Sequence, residues 1–400
     1  VWLTKKHAKP QEQQETMTEG RLTPFFRDIL GQDTLIERLR EYIVDENTPH
    51  ALLFVDKEGG EALPLALAFT RYLQCESPSE GDSCGRCRAC LQMDTLAHPD
   101  VFPIFPVTKA DSNDKPTSVD RLSDFRSMLS KEKRPLFSDW KTALRSENRQ
   151  PQMYISEAEY LQHKLSYKSF QSKYRIVLVW LPELMNTPCA NTLLKLIEEP
   201  PPGVIFLMVS TNPSAILPTI YSRLQRIRTA TIPQNKIERY LSDHFGISSS
   251  AATEVSHLSQ GNLRKALDLL RAENEGDYFS KFREASRILY LPIKGDPKLI
   301  KEKAEELHKL QRSEAIELLD IMLDVIREAN STIYGEPGCQ YTRSEDKELV
   351  QQIANFQTLG MIPKMMEHIM TARAELSQNV MVKIVYFDLL VTLSLLFRGK

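Results

Sequence analysis

What the chain lacks narrows its chemistry first. Charge of one sign is not in excess: 51 lysines and arginines stand against 53 aspartates and glutamates in 400 residues, and the pI is near 6.5. Bulk electrostatics therefore exclude a protein that captures polyanions by its overall field, and any DNA contact must come from a local patch or through partners. The first stretch, VWLTKKHAKPQEQQETMTEG, has no apolar run of the kind a secretory signal needs. Residues 1–20 are expected to be a disordered extension or a cloning remnant. A clean membrane-spanning run is missing as well. The most apolar segment, 379–397, contains Lys383 and Asp388, each costly in hydrocarbon, so a buried helix and a cytoplasmic protein are expected. Cysteine is scarce: there are six, and four of them fall between positions 75 and 90.

What is present suits a globular protein, 42% hydrophobic and 26% charged, and this length exceeds what one core serves, so two or three domains are expected. The most organised stretch runs from Arg175 to Arg228. Its two apolar runs, Ile176–Leu181 and Val204–Ser210, are short and rich in β-branched residues, which predicts strands buried on both faces. Between them Leu193, Leu194 and Ile197 mark one side of a helix over Cys189–Glu199, and the prolines at 200–202 end it. Strand, helix, stop and strand predict a parallel sheet covered by helices. His50–Val55 predicts a further buried strand, followed by the turn DKEGGE and an Ala/Leu-rich helix. Earlier, in FFRDILGQDTLIERLREYI, Ile29, Leu30, Leu35, Ile36, Leu39 and Ile43 repeat at helical spacing, and Gly31 and Gln32 form a turn before the helix.

Cys75, Cys84, Cys87 and Cys90, in CESPSEGDSCGRCRAC, have the two-residue spacers that let thiolates converge on one tetrahedral ion. Structural zinc is expected. An iron–sulfur cluster shares part of the spacing but lacks its C-P element, and disulfides are disfavoured in a cytoplasmic chain. Cys189 and Cys339 stand alone and read as small core residues, and His98 is close to the cluster but superfluous to a four-sulfur shell. From 106 to 173 the reading is looser: an exposed loop at 108–118, a helix over 155–167, and Trp140, Tyr154 and Tyr160 among lysines and arginines. That pattern fits either a satellite core or single-strand nucleic-acid binding.

The ordered elements NTLLKLIEEPP, VSTNP and ILPTIYSRLQRI resemble clamp-loader subunits of the AAA+ superfamily, and within them the delta prime subunits of the bacterial DNA polymerase III holoenzyme. Weaker likeness extends from Phe25 to the C-terminus. The resemblance implies an α/β AAA+ P-loop-like parallel-sheet domain over 21–231, with a zinc module at 75–90 and an insertion at 106–150. A small helical lid domain over 232–294 and a helical oligomerisation collar over 295–400, interrupted at 331–344, would follow.

In the register that the resemblance implies, the phosphate loop has Asp56 at its first glycine position, Glu61 at the second, Ala62 at the lysine and Leu63 at the magnesium-binding Ser/Thr; Gly59 and Gly60 remain. Two carboxylates would repel a triphosphate and the compensating lysine is gone, so no ATP is expected here. At 181–184, LPEL keeps Glu183 but lacks the adjacent aspartate that organises magnesium. Ser222-Arg223-Leu224 stands where the family has Ser-Arg-Cys. The likeness implies that Arg223, with Ser222, is an arginine finger acting on ATP bound by a neighbouring subunit; the simpler reading is an exposed arginine at a helix end. GNLRKAL implies that Arg264 is a lid sensor or, beside a degenerate pocket, a packing residue. The implied role is a subunit that performs no chemistry alone. Its partners would be the motor (gamma/tau) and delta subunits, the sliding clamp and, through the complex, primed DNA, with no membrane involved. Two rivals are an ATP-hydrolysing motor subunit of the same loader and a zinc-dependent nucleic-acid-binding protein.

Overall fold

The computed structural model describes residues 20–44, 48–111, 113–145, 149–275, 277–334, 347–356, 361–378 and 380–398. The expected extension over 1–19, Cys339 and most of the interruption at 331–344 lie outside the described residues. The chain divides into two compact units. The first takes the described residues up to Thr253 with Gln260–Lys265, and the second takes Glu254–Ser259 with those from Ala266 onward.

The first unit is built on five parallel strands: β1 (Ala51–Val55), β2 (Val101–Ile104), β3 (Arg175–Trp180), β4 (Val204–Ser210) and β5 (Gln225–Arg228). They lie side by side in the order β2-β3-β4-β1-β5. Every residue of β1, β3 and β4 is buried, as runs of Val, Ile, Leu and Phe in the middle of a parallel sheet require. The helices follow the predicted turns. α1 (Asp33–Val44), α2 (Ala62–Gln74), α3 (Arg88–Asp94), α4 (Leu122–Lys131), α5 (Phe137–Ala143), α6 (Ile155–Leu165), α7 (Thr187–Glu198) and the single turn α8 (Pro218–Tyr221) surround the sheet, and α9 (Gln234–Phe245) follows it. In α7 the Asn186 side chain accepts the Cys189 N–H at 2.9 Å, a helix cap. Its Cys189, Ala190, Leu193 and Ile197 pack on one face of the sheet with Val177, Val179, Phe206 and Met208. The other face is covered by Leu65, Ala66 and Phe69 of α2 and by Phe125, Leu129 and Trp140 from α4 and α5.

The first helix begins at Asp33, directly after the expected Gly31-Gln32 turn, with Ile29 and Leu30 before it. Gly31, at φ +74°, breaks the run, and a Cβ there would press to 3.2 Å from Ile232. Gln32 then clamps Ala230: its Nε2 donates to the carbonyl at 2.7 Å and its Oε1 accepts the N–H at 2.8 Å. The 106–150 segment, in turn, contributes to the principal core, not a satellite. Phe105 stacks on Phe125 at 4.2 Å and both meet Trp140 edge-on, while Trp180 of β3 lies 5.7 Å from Phe125. Trp140, fully buried, donates from Nε1 to the Pro106 carbonyl at 2.7 Å.

α10 (Ser249–Ser259) and α11 (Leu263–Glu275) complete the three helices expected after Ile232. The second unit is helical: α12 (Asp277–Lys294), α13 (Pro297–Leu307), α14 (Arg312–Tyr334), α15 (Lys347–Phe356), α16 (Ile362–Ser377) and α17 (Val382–Phe397). Its interior holds Leu319, Met322, Ile326, Ile369 and Leu390, and the Tyr386 hydroxyl donates to the Ala315 carbonyl at 2.7 Å. Among the described residues, no helix is long and apolar enough to cross a membrane.

Candidate functional site

The loop from Asp56 to Glu61 joins the C-terminal end of β1 to the start of α2. A loop in this position turns its amides toward a common centre, where a bound phosphate would sit. Here a side chain of the protein fills that centre. Asp56 Oδ1 accepts the N–H of Lys57 at 2.6 Å and Oδ2 accepts that of Glu61 at 2.7 Å. Gly60 permits the approach, since a Cβ at that position would lie 2.2 Å from the carboxylate. The Asp56 carboxylate therefore occupies two amides of the loop, those of Lys57 and Glu61.

Glu61 does more than repel. It is buried, and its two oxygens accept from Nε and Nη2 of Arg134 at 2.6 and 3.1 Å, the two-point pairing that guanidinium and carboxylate favour. Burial pushes the Glu61 carboxyl above its usual range, and the adjacent guanidinium pulls the other way. Arg134 is the residue that the sequence reading missed. It comes from the 106–150 segment, 73 positions away from its partner, and no local motif announces it. Two small cavities flank the loop: one lined by Asp56, Gly60, Leu63, Arg134, Trp180 and Thr211, of about 20 Å³, and one toward Ala230 and Gly261, of about 30 Å³, each with room for about one or two waters.

Next to the loop, the other expected elements have structural partners. After β3 the chain turns through Leu181 in the left-handed region, at φ 62° and ψ 57°, a conformation uncommon for a branched residue. Glu183 Oε1 then accepts from the Thr211 N–H, the Thr211 hydroxyl and the Asn212 N–H at 2.9, 3.1 and 3.0 Å. Its carboxylate thus secures the loop that leaves β4. Arg264 Nη1 donates to Asp139 Oδ2 at 2.7 Å and to the Arg134 carbonyl at 3.2 Å, and Glu132 is 3.5 Å away. Its stem covers Gly59. Of the two roles expected for Arg264, this geometry favours packing.

Arg223 and Ser222 follow α8 on an exposed turn. Arg223 Nη2 lies 2.5 Å from Glu198 Oε1 at the end of α7, in a pair whose side chains are 41% and 39% exposed. Its Nη1 donates to the Thr219 carbonyl at 2.7 Å, and the Ser222 hydroxyl donates to the same carbonyl at 3.2 Å. Leu224 is a buried member of the core on the α7 side. The turn therefore presents its arginine from a fixed base, apart from the Asp56–Glu61 loop.

The four cysteines do converge. The Sγ atoms of Cys75, Cys84, Cys87 and Cys90 all lie within 4.8 Å of one another, and Cys84 and Cys90 are 4.0 Å apart. Metal–sulfur bonds of about 2.3 Å in a tetrahedron place sulfurs roughly 3.8 Å apart, so the donor set fits one zinc ion. Amides already point at the sulfurs: Cys84 N–H to Cys75, Cys87 N–H to Cys84 and Cys90 N–H to Cys87, at 3.2, 3.4 and 3.4 Å. A further amide, that of Arg86, is the main cause that draws the Cys84 thiol down to about 6, toward the thiolate that a metal takes. Arg71 of α2, fully buried, ties the module to the sheet through Thr23, Ser83 and Asp94, with Phe25 stacked at 4.2 Å. Cys189 is buried, which pushes its thiol up to about 12. His98 accepts the Asp100 N–H at 3.2 Å and faces Gln171 and Ser172 with its other nitrogen.

A family model described as "DNA polymerase III, delta subunit" matches residues 31–233, just over half of the chain. "DNA polymerase III subunit delta'" of Escherichia coli (strain K12) is 26% identical over 227 residues, which are 56% of this chain and 55% of that protein. The subunit of the same name from Pseudomonas aeruginosa is 28% identical over 174 residues, 44% of this chain and 41% of the relative. "DNA polymerase III subunit tau/gamma" of Haemophilus influenzae is 21% identical over 249 residues, 61% of this chain and 30% of the relative. The chain thus matches about half, or less, of the length of each of these relatives.

Proposed function

The chain belongs to the DNA polymerase III delta subunit family, and from that premise we propose that it serves as the delta prime subunit of a replicative clamp loader, binding no nucleotide itself. One observation carries the reading: the phosphate cradle is filled by the Asp56 carboxylate, with the Glu61–Arg134 pair behind it and Ala62 where a lysine would stand. A triphosphate would have to displace an internal anion and enter beside a second carboxylate. The rival motor-subunit reading needs that same loop open.

In the proposed role the chain hydrolyses nothing alone. Arg223 reaches ATP held by an adjacent motor (gamma/tau) subunit and stabilises charge on the phosphoryl group being transferred, with Ser222 positioning the turn. Its pair with Glu198 is solvent-exposed, and such pairs contribute about 0–1 kcal/mol, so exchange for a phosphate is easy. Residues 21–231 form the ATPase-like domain, 232–294 the lid and 295–400 the collar that joins the chain to the motor and delta subunits. Cys75, Cys84, Cys87 and Cys90 hold a structural zinc whose four-sulfur shell leaves no position for a reactive water. The sliding clamp and primed DNA are handled by the complete complex.

The test is ATP hydrolysis by motor subunits reconstituted with this chain, clamp and primed DNA. Arg223→Ala is expected to lower stimulated hydrolysis by about 10³-fold or more at the site it serves, with assembly intact. Unchanged hydrolysis in an intact complex would remove the finger. Stoichiometric ATP binding by the isolated chain would revive the motor-subunit reading.

A further inference from the structure

Not every aromatic of the 106–174 region goes inside. Phe105, Phe125 and Trp140 are buried, whereas Tyr167 is 60% and Phe170 76% exposed. Both lie in the segment between α6 and β3, at the strand-start end of a parallel sheet and so opposite the Asp56 loop. Composition changes here too. From Tyr160 to Arg175 the sequence YLQHKLSYKSFQSKYR has no aspartate or glutamate, while Lys164, Lys168 and Lys173 fall within it on exposed positions. In a chain with a net charge of −2, this is a local cationic surface with rings set into it.

The segment is held, not loose. Asp100, 2% exposed, accepts the N–H groups of Phe170, Gln171 and Ser172 at 2.7, 2.8 and 3.1 Å. Arg175, 6% exposed, donates to the carbonyls of Leu165 at 2.8 Å, of Tyr167, and of Pro202 at 3.1 Å. Two buried charges thus fix a backbone whose side chains turn outward. Neither ring is needed by the core, and a large apolar ring held rigidly in water gains nothing for folding. Lys164 lies over the Tyr160 ring at 5.6 Å, and the rings of His163 and Tyr167 meet edge-on at 5.3 Å, so Lys164 and Tyr167 each have an aromatic neighbour on α6.

We propose that this surface binds single-stranded nucleic acid, with bases stacking on Tyr167 and Phe170 and phosphates neutralised by Lys164 and Lys168. Every base has a face that stacks on an aromatic ring, so the contact is indifferent to sequence. The absence of acidic residues across sixteen positions, Tyr160 to Arg175, favours a polyanion over an apolar pocket on another protein. The inference goes beyond the assembly role, in which DNA is reached through partners, and does not depend on it.

Fluorescence anisotropy of a labelled oligothymidylate of about 20 nucleotides, titrated at low salt with the full chain, is the test. Saturable binding is expected. Tyr167→Ala with Phe170→Ala should weaken it by about tenfold or more. Lys164→Gln and Lys168→Gln should each flatten the dependence of log affinity on log salt by about 0.7. All four side chains are exposed, so unfolding temperatures should not change. No binding at low salt overturns the proposal, and so does binding that neither pair of variants alters. Loss of a protein–protein contact in the aromatic variant, with oligonucleotide binding unaffected, would assign the surface to a protein partner instead.

Discussion

Arg134 and Glu61 form the ion pair on which the closed state of the phosphate loop rests, and both are nine-tenths buried or more. Removing one partner leaves the other charge without compensation. Arg134→Met is expected to destabilise the fold by about 3–5 kcal/mol, while Arg134→Met with Glu61→Leu should recover most of the loss, as urea unfolding would read. Glu157 offers a second residue-level prediction. Its Oε2 accepts the N–H and hydroxyl of Ser118 at 2.6 and 2.9 Å, but its Oε1 is buried without a partner. Burial raises its pKa from 4.5 to about 7, so the folded state binds the proton more tightly than the unfolded one. The stability this confers is complete below the unfolded value and is lost as pH rises through about 7. At about 1.4 kcal/mol per pH unit, the wild type should lose about 3 kcal/mol relative to Glu157→Gln between pH 4.5 and 8, measured by unfolding at each pH. The sequence displays Asp56, Ala62 and Arg223 in register with motifs, because those positions follow from chain order. It does not display Arg134 or Glu157, whose chemistry comes from residues 73 and 39 positions away.

The elements nearest in sequence were the most legible. The two strands around α7 lie within a residue of the predicted runs, and the helix stops before Pro200 as the proline rule requires. The place of α4 and α5 was not legible, because amphipathic pieces do not say which core they join. The cysteine module is where element and ligand meet: α2 ends at Gln74, one residue before the first thiol, and α3 begins between the last two. Cys84→Ser with Cys87→Ser is expected to lower bound zinc from about one ion per chain to none, by elemental analysis. Amide exchange should rise over 75–94 while β1, β3 and β4 remain protected, because the sheet is buried independently of the module.

In the proposed role, the question for the whole molecule is which surfaces meet other subunits. The run at 379–397 announced a helix, and α17 is that helix. A run so uniformly apolar did not reveal its outward side. Met381, Ile384, Phe387 and Leu395 are the exposed positions, with Asp388 exposed among them. If the second unit is the collar, Ile384→Lys with Leu395→Glu should prevent co-elution with motor and delta subunits in size-exclusion chromatography. The isolated chain should unfold at an unchanged temperature, since neither side chain is part of the interior.

The filled cradle also bears on what it would take to open the loop. Restoring a lysine at Ala62 leaves Asp56 in the anion position, and replacing Asp56 leaves Glu61 and Arg134 paired beneath the loop. Replacing Glu61 alone strands a buried guanidinium. Replacing Asp56 alone frees the Lys57 and Glu61 amides but leaves a buried carboxylate close by and no lysine at position 62. In the proposed role, reopening this loop to a nucleotide therefore takes several coordinated substitutions, and ATP hydrolysis is left to a neighbouring subunit.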